Sequence, residues 1–195
     1  MLICQNSDAV VHATNGYASH LLPAYSRGTQ RVIPTRGQIS CFVPSFNFAP
    51  WSSGIASESF YGFHLHHGIE RVILGGGRPF SNTNEWNESD DSNINPVISQ
   101  KTLDWLNTAT TRSRASSQWK REKEWTGIMG FTPSQAPVIG RVYDETGIVK
   151  GQYIAAGFNG HGMPRCPAAF VPILFSLASL CITSTDDGDH TELRW

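Results

Sequence analysis

Charged residues are scarce in this sequence. Asp, Glu, Lys and Arg make up 16% of its 195 residues, and the formal net charge is −1. No long basic run occurs, so the electrostatic attraction on which binding to nucleic acids and anionic membranes depends is missing. The composition therefore predicts neither a nucleic-acid partner nor a membrane partner.

Signals for cysteine pairing and for export are also missing. The four cysteines are scattered without a C-x-x-C pair, which excludes a zinc ribbon and gives little support to disulfides. The chain does not open with a basic segment followed by an apolar one, and it does not end in a common targeting tripeptide. These features predict a cytoplasmic protein.

An uncharged, mostly apolar stretch runs from Cys166 to Ile182. It is short for a membrane span and contains Pro167 and Pro172, so a buried core helix is favoured over a membrane helix. A proline inside a helix removes a hydrogen bond and costs about 3 kcal/mol. Pro172 is therefore expected to interrupt this helix.

The hydrophobic pattern predicts a mixed α/β (α+β) fold. A helix is expected over 96–114, a polar loop over 81–95, and short helical turns after Gly16. Apolar runs bounded by turn residues predict strands. The predicted strands are 8–14, 37–46, 59–68, 70–80, 123–132, 136–144 and 151–158.

Two glycine-containing segments follow predicted strands. Asn15-Gly16 follows the first strand, and the residues from Gly157 to Met163 follow the last one. Each reads as a turn that needs a positive φ, or as backbone that approaches a ligand. Ligands bind at the carboxyl ends of parallel strands, which is where these segments would lie.

Five sequence blocks carry a family resemblance. They are VVHATNGYASHLLP, VIPTRGQIS, RVILGGGRPF, EWTGIMGFTPSQAPVIG and YIAAGFNGHGM. In this order they resemble FAD-dependent oxidoreductases of the D-amino-acid oxidase type, over roughly residues 8 to 165. The resemblance implies part of an FAD-binding, Rossmann-like layer in 1–35 and 150–183 and an antiparallel substrate-binding sheet in 36–149. The polar residues that end the chain predict a flexible tail in 184–195.

The resemblance also implies an FAD site. Backbone N–H groups and a helix N-terminus stabilise the negative charge of a reduced flavin, so the glycine-rich segments are the implied contacts. The implied cofactor-binding residues are Thr14, Asn15, Gly16, Gly157, Phe158, Asn159, Gly160, His161, Gly162 and Met163.

The substrate implied by the resemblance is a small amine or an amino-acid-like molecule, with oxygen as the candidate acceptor. Tyr61, His64, Trp125 and Met129 are the implied substrate-lining residues. The stretch from Ile128 to Phe131 lacks the arginine with which amino-acid-oxidising relatives hold a carboxylate, which favours an amine. No side-chain base is assigned, because the flavin carries the hydride chemistry in such enzymes.

One departure from the family limits these expectations. No G-x-G-x-x-G turn precedes Asp8, and the glycines at 75–77 lead to Arg78-Pro79 instead of a helix. The chain is therefore expected to be a C-terminal portion of such an enzyme. The alternative is a non-catalytic fragment or interaction protein. A metal site at His64 and His66, which share a strand face, is weighed and not predicted.

Overall fold

The computed structural model describes residues 7–46, 54–67, 69–110 and 119–183. The strands are β1 (Val10–His12), β2 (Ile33–Pro44), β3 (Ile55–Ala56), β4 (Phe60–His67), β5 (Ile69–Gly76), β6 (Trp119–Phe131), β7 (Val138–Asp144) and β8 (Gly147–Ala156). The helices are α1 (Ala18–Leu21), α2 (Pro96–Thr110) and α3 (Gly162–Thr183), with 3-10 turns at Asn15–Tyr17, Pro23–Ser26 and Arg78–Phe80.

The mixed α/β prediction is confirmed, and the chain divides into two units. Unit 1 contains Met1–Ile33 and Gly130–Trp195, and unit 2 contains Pro34–Met129. Residues 130–149 therefore belong to unit 1, although a substrate-binding domain over 36–149 was expected. The reason is that β7 pairs along its length with β8, so the two strands cannot belong to different units.

Unit 1 contains a mixed sheet in the order β1-β8-β7. β1 runs parallel to β8, with Val11 opposite Tyr153, and β7 runs antiparallel to β8. Among the described residues β1 has no second neighbour, and Val10 and Val11 are 44% and 38% exposed. The core on one side of this sheet consists of Ala18, Tyr25, Val32, Val142, Ile154 and Ala156.

Helix α3 continues through both Pro167 and Pro172, so the expected interruption at Pro172 is wrong. The prolines leave the carbonyls of Met163 and Ala168 without helical donors. Both of these residues are exposed, so water can bind their carbonyls. Within the described part of the chain, no helix has both the length and the continuous apolar character that crossing a membrane requires.

Unit 2 contains an antiparallel sheet in the order β3-β4-β5-β2-β6, with α2 on one face. The side chain of Asn95 caps α2 by accepting the N–H of Val97 at 3.0 Å, and Pro96 occupies the first helical position, where no N–H is needed. The core between sheet and helix consists of Phe42, Val72, Leu74, Leu106 and Trp119. The predicted strand pair around residues 67–68 is confirmed as β4 and β5.

The carboxylates of Glu122 and Glu124 lie on opposite faces of this sheet. Glu122 contacts Cys41 of β2, whereas Glu124 accepts a hydrogen bond from Ser40, the residue directly before Cys41. Adjacent residues of a strand point to opposite faces, and residues two apart share a face. β6 must therefore be irregular between the two glutamates, as in a β-bulge.

An ion pair on the face opposite α2 shifts the titration of Glu122. The Arg71 guanidinium donates to both carboxylate oxygens, at 2.6 and 3.0 Å, and these hydrogen bonds lower the pKa of Glu122 to about 2. A carboxyl with a lowered folded-state pKa stabilises the fold above its unfolded pKa and loses that effect as the pH falls. The contribution of this pair is therefore present above pH 4.5 and is lost between pH 4.5 and about 2.

We expect Arg71→Ala to raise the pKa of Glu122 towards its ordinary value of 4.5. An NMR titration of the side-chain carboxyl carbon measures this directly. The control is Lys120→Ala, because Lys120 lies on the same strand as Glu122. This variant should leave the titration of Glu122 unchanged. A Glu122 pKa that stays near 2 in Arg71→Ala would contradict the assignment.

Candidate functional site

The candidate site lies in unit 1, where the parallel strands β1 and β8 end. β8 ends at Ala156, and residues 157–161, the β8–α3 loop, lead into α3 at Gly162. β1 ends at His12 and is followed by Thr14 and the turn at Asn15–Tyr17. Carboxyl ends of parallel strands are the edge at which α/β folds bind ligands.

The β8–α3 loop has an unusual backbone. The φ angles of Gly157, Asn159 and Gly160 are 74°, 55° and 76°, and Asn15 in the neighbouring turn has a φ of 43°. Glycine and asparagine are the residues that adopt such left-handed conformations most readily. Both glycine-containing segments are therefore turns, and both contain residues with positive φ.

The side chain of Asn15 reaches across to this loop. Its Oδ1 accepts hydrogen bonds from the N–H groups of Gly157 at 3.0 Å and Phe158 at 3.3 Å. The approach depends on a glycine in β6, because a Cβ at Gly130 would lie 2.7 Å from Oδ1 of Asn15. Asn15 thus joins the end of β1 to the end of β8.

Asn159 is 8% exposed and joins the loop to the end of β6. Its N–H donates to the carbonyl of Gly130 at 2.8 Å, and its Oδ1 accepts the N–H of Thr132 at 2.9 Å. Its Nδ2 donates to the carbonyl of Gly157 at 2.6 Å and to Oγ1 of Thr132 at 3.3 Å. Both the oxygen and the nitrogen of the Asn159 amide therefore form hydrogen bonds.

His161 is exposed, and its contacts are with the loop itself. Nδ1 lies 2.7 Å from the carbonyl oxygen of Asn159, and the backbone N–H donates to the carbonyl of Phe158 at 2.9 Å. A carbonyl can only accept, so Nδ1 carries the proton. These contacts give His161 a part in closing the turn.

The start of α3 and the end of β1 contribute polar groups that the fold leaves open. The first N–H groups of a helix, here those of Gly162 and Met163, have no partner within the helix, and the dipole of this 22-residue helix is positive at that end. Oγ1 of Thr14 is buried and finds no hydrogen-bond partner among the described residues. The site therefore offers main-chain donors to an electron-rich or anionic group.

Sequence comparison assigns this arrangement to a family. Residues 3–169 match the family model described as FAD dependent oxidoreductase (DAO). The chain belongs to this FAD-dependent oxidoreductase family. A search of curated proteins found no match.

Solved structures of similar fold include two oxidases and a dehydrogenase. Iminodiacetate oxidase from Chelativorans sp. BNC1 is 17% identical, with a TM-score of 0.60, and the match covers 85% of this chain and 41% of that chain. Glycine oxidase from Geobacillus kaustophilus is 15% identical, with a TM-score of 0.57 and coverages of 85% and 40%. L-proline dehydrogenase from P. horikoshii is 22% identical, with a TM-score of 0.50 and coverages of 79% and 38%. The chain thus spans about two fifths of the length of each of these proteins.

The residues of the site fit one end of the family's cofactor. The main-chain donors at Gly162 and Met163, together with the positive end of the α3 dipole, suit the flavin ring, whose reduced form is anionic. No G-x-G-x-x-G turn for the pyrophosphate occurs among the described residues, where Gly75–Gly77 lead to a short 3-10 turn at Arg78.

Three of the four predicted substrate-lining residues share the sheet face of unit 2 that α2 does not cover. A Cβ at Gly75 would meet the Tyr61 ring at 2.6 Å, and one at Gly37 would meet the Met129 methyl at 2.8 Å. Trp125 lies four residues before Met129 on β6 and shares its face by alternation. Tyr61 and Trp125 are about half exposed on this open face.

His64 lies on the other face of that sheet. It is opposite Val72 of the α2-side core, is almost fully buried, and forms an ion-pair contact with Glu70. The side chain of His66 lies outside the described residues. No group of three or more potential metal ligands occurs in the described part of the chain.

Two residues of the site were not predicted from the sequence. Gly130 and Thr132 hold the β8–α3 loop from the end of β6, yet the stretch that contains them was interpreted only as part of a substrate strand. The glycine at the end of a strand block is the one signal that was available, since it marks a close approach of backbone.

Proposed function

We propose that this chain is the C-terminal portion of an FAD-dependent oxidoreductase that oxidises a C–N bond of a small amine or amino-acid-like substrate. The observation that carries the proposal is the β8–α3 loop. Its glycine-containing backbone has positive φ angles and lies at the carboxyl ends of the parallel strands β1 and β8, directly before the N-terminus of α3. When bound, FAD would supply the hydride acceptor, and oxygen is the candidate final acceptor.

The role of the chain in this proposal is to bind and orient the flavin end of FAD. The N–H groups of Gly162 and Met163 would donate to the pyrimidine side of the flavin ring, and Thr14 would offer its buried hydroxyl from the end of β1. Gly160 is exposed and has no side chain, so it permits close contact. The described residues contain no G-x-G-x-x-G turn for the pyrophosphate, so the proposal assigns to this chain only the flavin end of FAD.

The substrate class rests on the open face of unit 2 and on the names of the structural relatives. Tyr61, Trp125 and Met129 offer aromatic and apolar contact area, and no arginine occurs between Ile128 and Phe131. The relatives named above are an iminodiacetate oxidase, a glycine oxidase and a proline dehydrogenase, all of which act on C–N compounds. The open face supports apolar contacts to the substrate, and the relatives' names support an amine or amino-acid-like molecule.

The exposed apolar side chains of α3 favour a second candidate, a non-catalytic interaction protein. Met163 is 93% exposed, and Phe170 and Phe175 are also largely exposed. Exposed apolar side chains that cluster on one element are typical of protein–protein interaction surfaces. An interaction protein would use this surface without binding FAD.

FAD binding by the purified chain distinguishes the two candidates. We expect equilibrium dialysis to detect bound FAD, and we expect gel filtration to remove it, because the described residues offer no pyrophosphate site. A folded chain that binds no FAD in dialysis would reject the oxidoreductase proposal in favour of the interaction protein. FAD that survives gel filtration would show that the pyrophosphate is held within residues 1–195.

Two alanine variants test the site of binding. Gly160 and Gly28 have nearly the same φ, 76° and 71°, so alanine imposes similar backbone strain at both positions. A Cβ at Gly28 would meet nothing within 4 Å, and Gly28 lies outside the β8–α3 loop. We expect Gly160→Ala to weaken FAD binding about tenfold, the effect of 1.4 kcal/mol, and Gly28→Ala to leave it unchanged.

A further inference from the structure

Two asparagine side chains hold three separate chain segments together at the candidate site. Asn15 follows β1, Asn159 lies in the β8–α3 loop, and Gly130 and Thr132 lie at the end of β6. The hydrogen bonds between them connect residues that are 27 to 143 positions apart in the sequence. The side chains of Asn15 and Asn159 make most of these contacts, and the main-chain N–H of Asn159 makes one more, to the carbonyl of Gly130.

The hydrogen bonds of Asn15 satisfy two backbone N–H groups at the end of β8. The N–H groups of Gly157 and Phe158 follow the last residue of β8, and both residues are buried. A buried N–H without an acceptor costs about 1–3 kcal/mol. Oδ1 of Asn15 accepts both, so this one oxygen fixes the direction in which the chain leaves β8.

Asn159 fixes the following part of the loop. Its main chain and side chain make four hydrogen bonds, to Gly130, Thr132 and Gly157, within a site from which water is largely excluded. Together these bonds hold Asn159 itself in the left-handed conformation. The carbonyl of Asn159 in turn orients the ring of His161.

A loop of this composition needs such restraint. Gly157, Gly160 and Gly162 allow many backbone conformations, and each conformation that cannot bind the ligand lowers the apparent affinity. We propose that Asn15 and Asn159 are positioning residues that hold the β8–α3 loop in its ligand-binding conformation before the ligand binds. The ligand itself, FAD, rests on the proposed function.

Hydrogen exchange of the full chain without FAD tests the positioning role. We expect Asn15→Ala to speed exchange of the Gly157 and Phe158 amides roughly ten- to hundredfold, as the loss of two hydrogen bonds implies, and to leave the amides between β7 and β8 unchanged. Asn15→Asp keeps an acceptor oxygen at the same place and should restore slow exchange. If Asn15→Ala does not fold, Asn15→Ser replaces it, since the serine side chain is too short for its oxygen to reach both N–H groups.

Asn159→Asp provides an independent test because it removes only half of the interactions. The aspartate still accepts the N–H of Thr132 but cannot donate to Gly157 or to Oγ1 of Thr132. We therefore expect faster exchange in the β8–α3 loop for Asn159→Asp, in contrast to the restored protection of Asn15→Asp. Equal behaviour of the two aspartate variants would overturn the distinct roles given to the two side chains.

FAD binding in dialysis gives the second readout. We expect Asn15→Ala to weaken binding about tenfold, because a loop that is ordered one tenth of the time binds with one tenth of the affinity. The control is Gln152→Ala, which removes a hydrogen bond to His12 in the same unit without touching the loop. Unchanged FAD affinity in Asn15→Ala, or faster exchange throughout unit 1, would overturn the proposal. If the unaltered chain bound no FAD while the exchange changes stayed local, the proposed function would fail and the ordering of the loop would be supported.

Discussion

Replacing Gly76 with alanine is expected to lower the free energy of unfolding by about 2–6 kcal/mol, the sum of backbone strain and overpacking. Gly76 ends β5 with a φ of 113°, a conformation that residues with a Cβ rarely adopt. A Cβ here would also lie 2.2 Å from the carbonyl oxygen of Ser59 and 3.0 Å from Cα of Phe60.

The clash at Gly76 cannot be relieved by a side-chain rotation. The atoms in contact belong to the backbone, and the Ser59 carbonyl is held at 2.7 Å by the N–H of Gly77. Phe60, the next residue, is buried in the core of unit 2 and stacks on Trp105. Moving this backbone would therefore disturb the packing of α2 on the sheet.

Gly147→Ala is the matched control for this prediction. Gly147 has a φ of 117°, but a Cβ there would meet nothing within 4 Å. Its substitution should cost only the backbone strain, about 1–3 kcal/mol. Urea unfolding of the two variants separates strain from steric clash, and equal losses would contradict the role assigned to Ser59 and Phe60.

Glu124→Ala is the second large effect that we expect, a loss of about 3 kcal/mol or more in the free energy of unfolding. The Glu124 carboxylate accepts hydrogen bonds from Ser40 at 2.6 Å, Ser99 at 2.8 Å and Gln38 at 3.0 Å. These contacts join β2, β6 and α2 on the inner face of the sheet. Alanine would leave three buried donors without their acceptor.

Two further variants define what Glu124 contributes. Glu124→Gln keeps the volume but places an NH₂ group against neighbours that donate, so it should recover only part of the loss. Glu145→Ala, at an exposed position between β7 and β8, should change stability by less than about 0.5 kcal/mol. If urea unfolding showed Glu124→Ala to be as mild as Glu145→Ala, the carboxylate would have no structural role.

Much of the local structure followed from the sequence because the signals were local. An apolar periodicity predicted α2, which runs from Pro96 to Thr110. The strand pair β4–β5 was predicted from two β-rich runs around a histidine and a glycine. The remainder of the predicted helix, 111–114, and the predicted tail, 184–195, lie outside the described residues.

The candidate site was only partly predictable. Asn15 and the residues from Gly157 to Met163 were identified through the family resemblance, and the structure brings them together. Gly130 and Thr132 were missed because their contacts with the loop depend on how β6 ends in the folded protein. The sequence also did not show that His64 lies on the sheet face opposite to Tyr61, because the face on which a strand residue lies depends on pairing register.

The hydrophobic pattern by itself predicted a mixed α/β chain, and the resemblance of five ordered sequence blocks predicted the FAD-dependent oxidoreductase family, which the family model confirms. Only the tertiary structure decided the unit boundary at Gly130, the continuity of α3 through Pro172, and the use of two asparagine amides as long-range hydrogen-bonding groups. The physical reason is that these features depend on partners that are distant in sequence. A proline is tolerated where exposed carbonyls can bind water, and an asparagine in a turn becomes a link between strands only when the fold brings N–H groups to its oxygen.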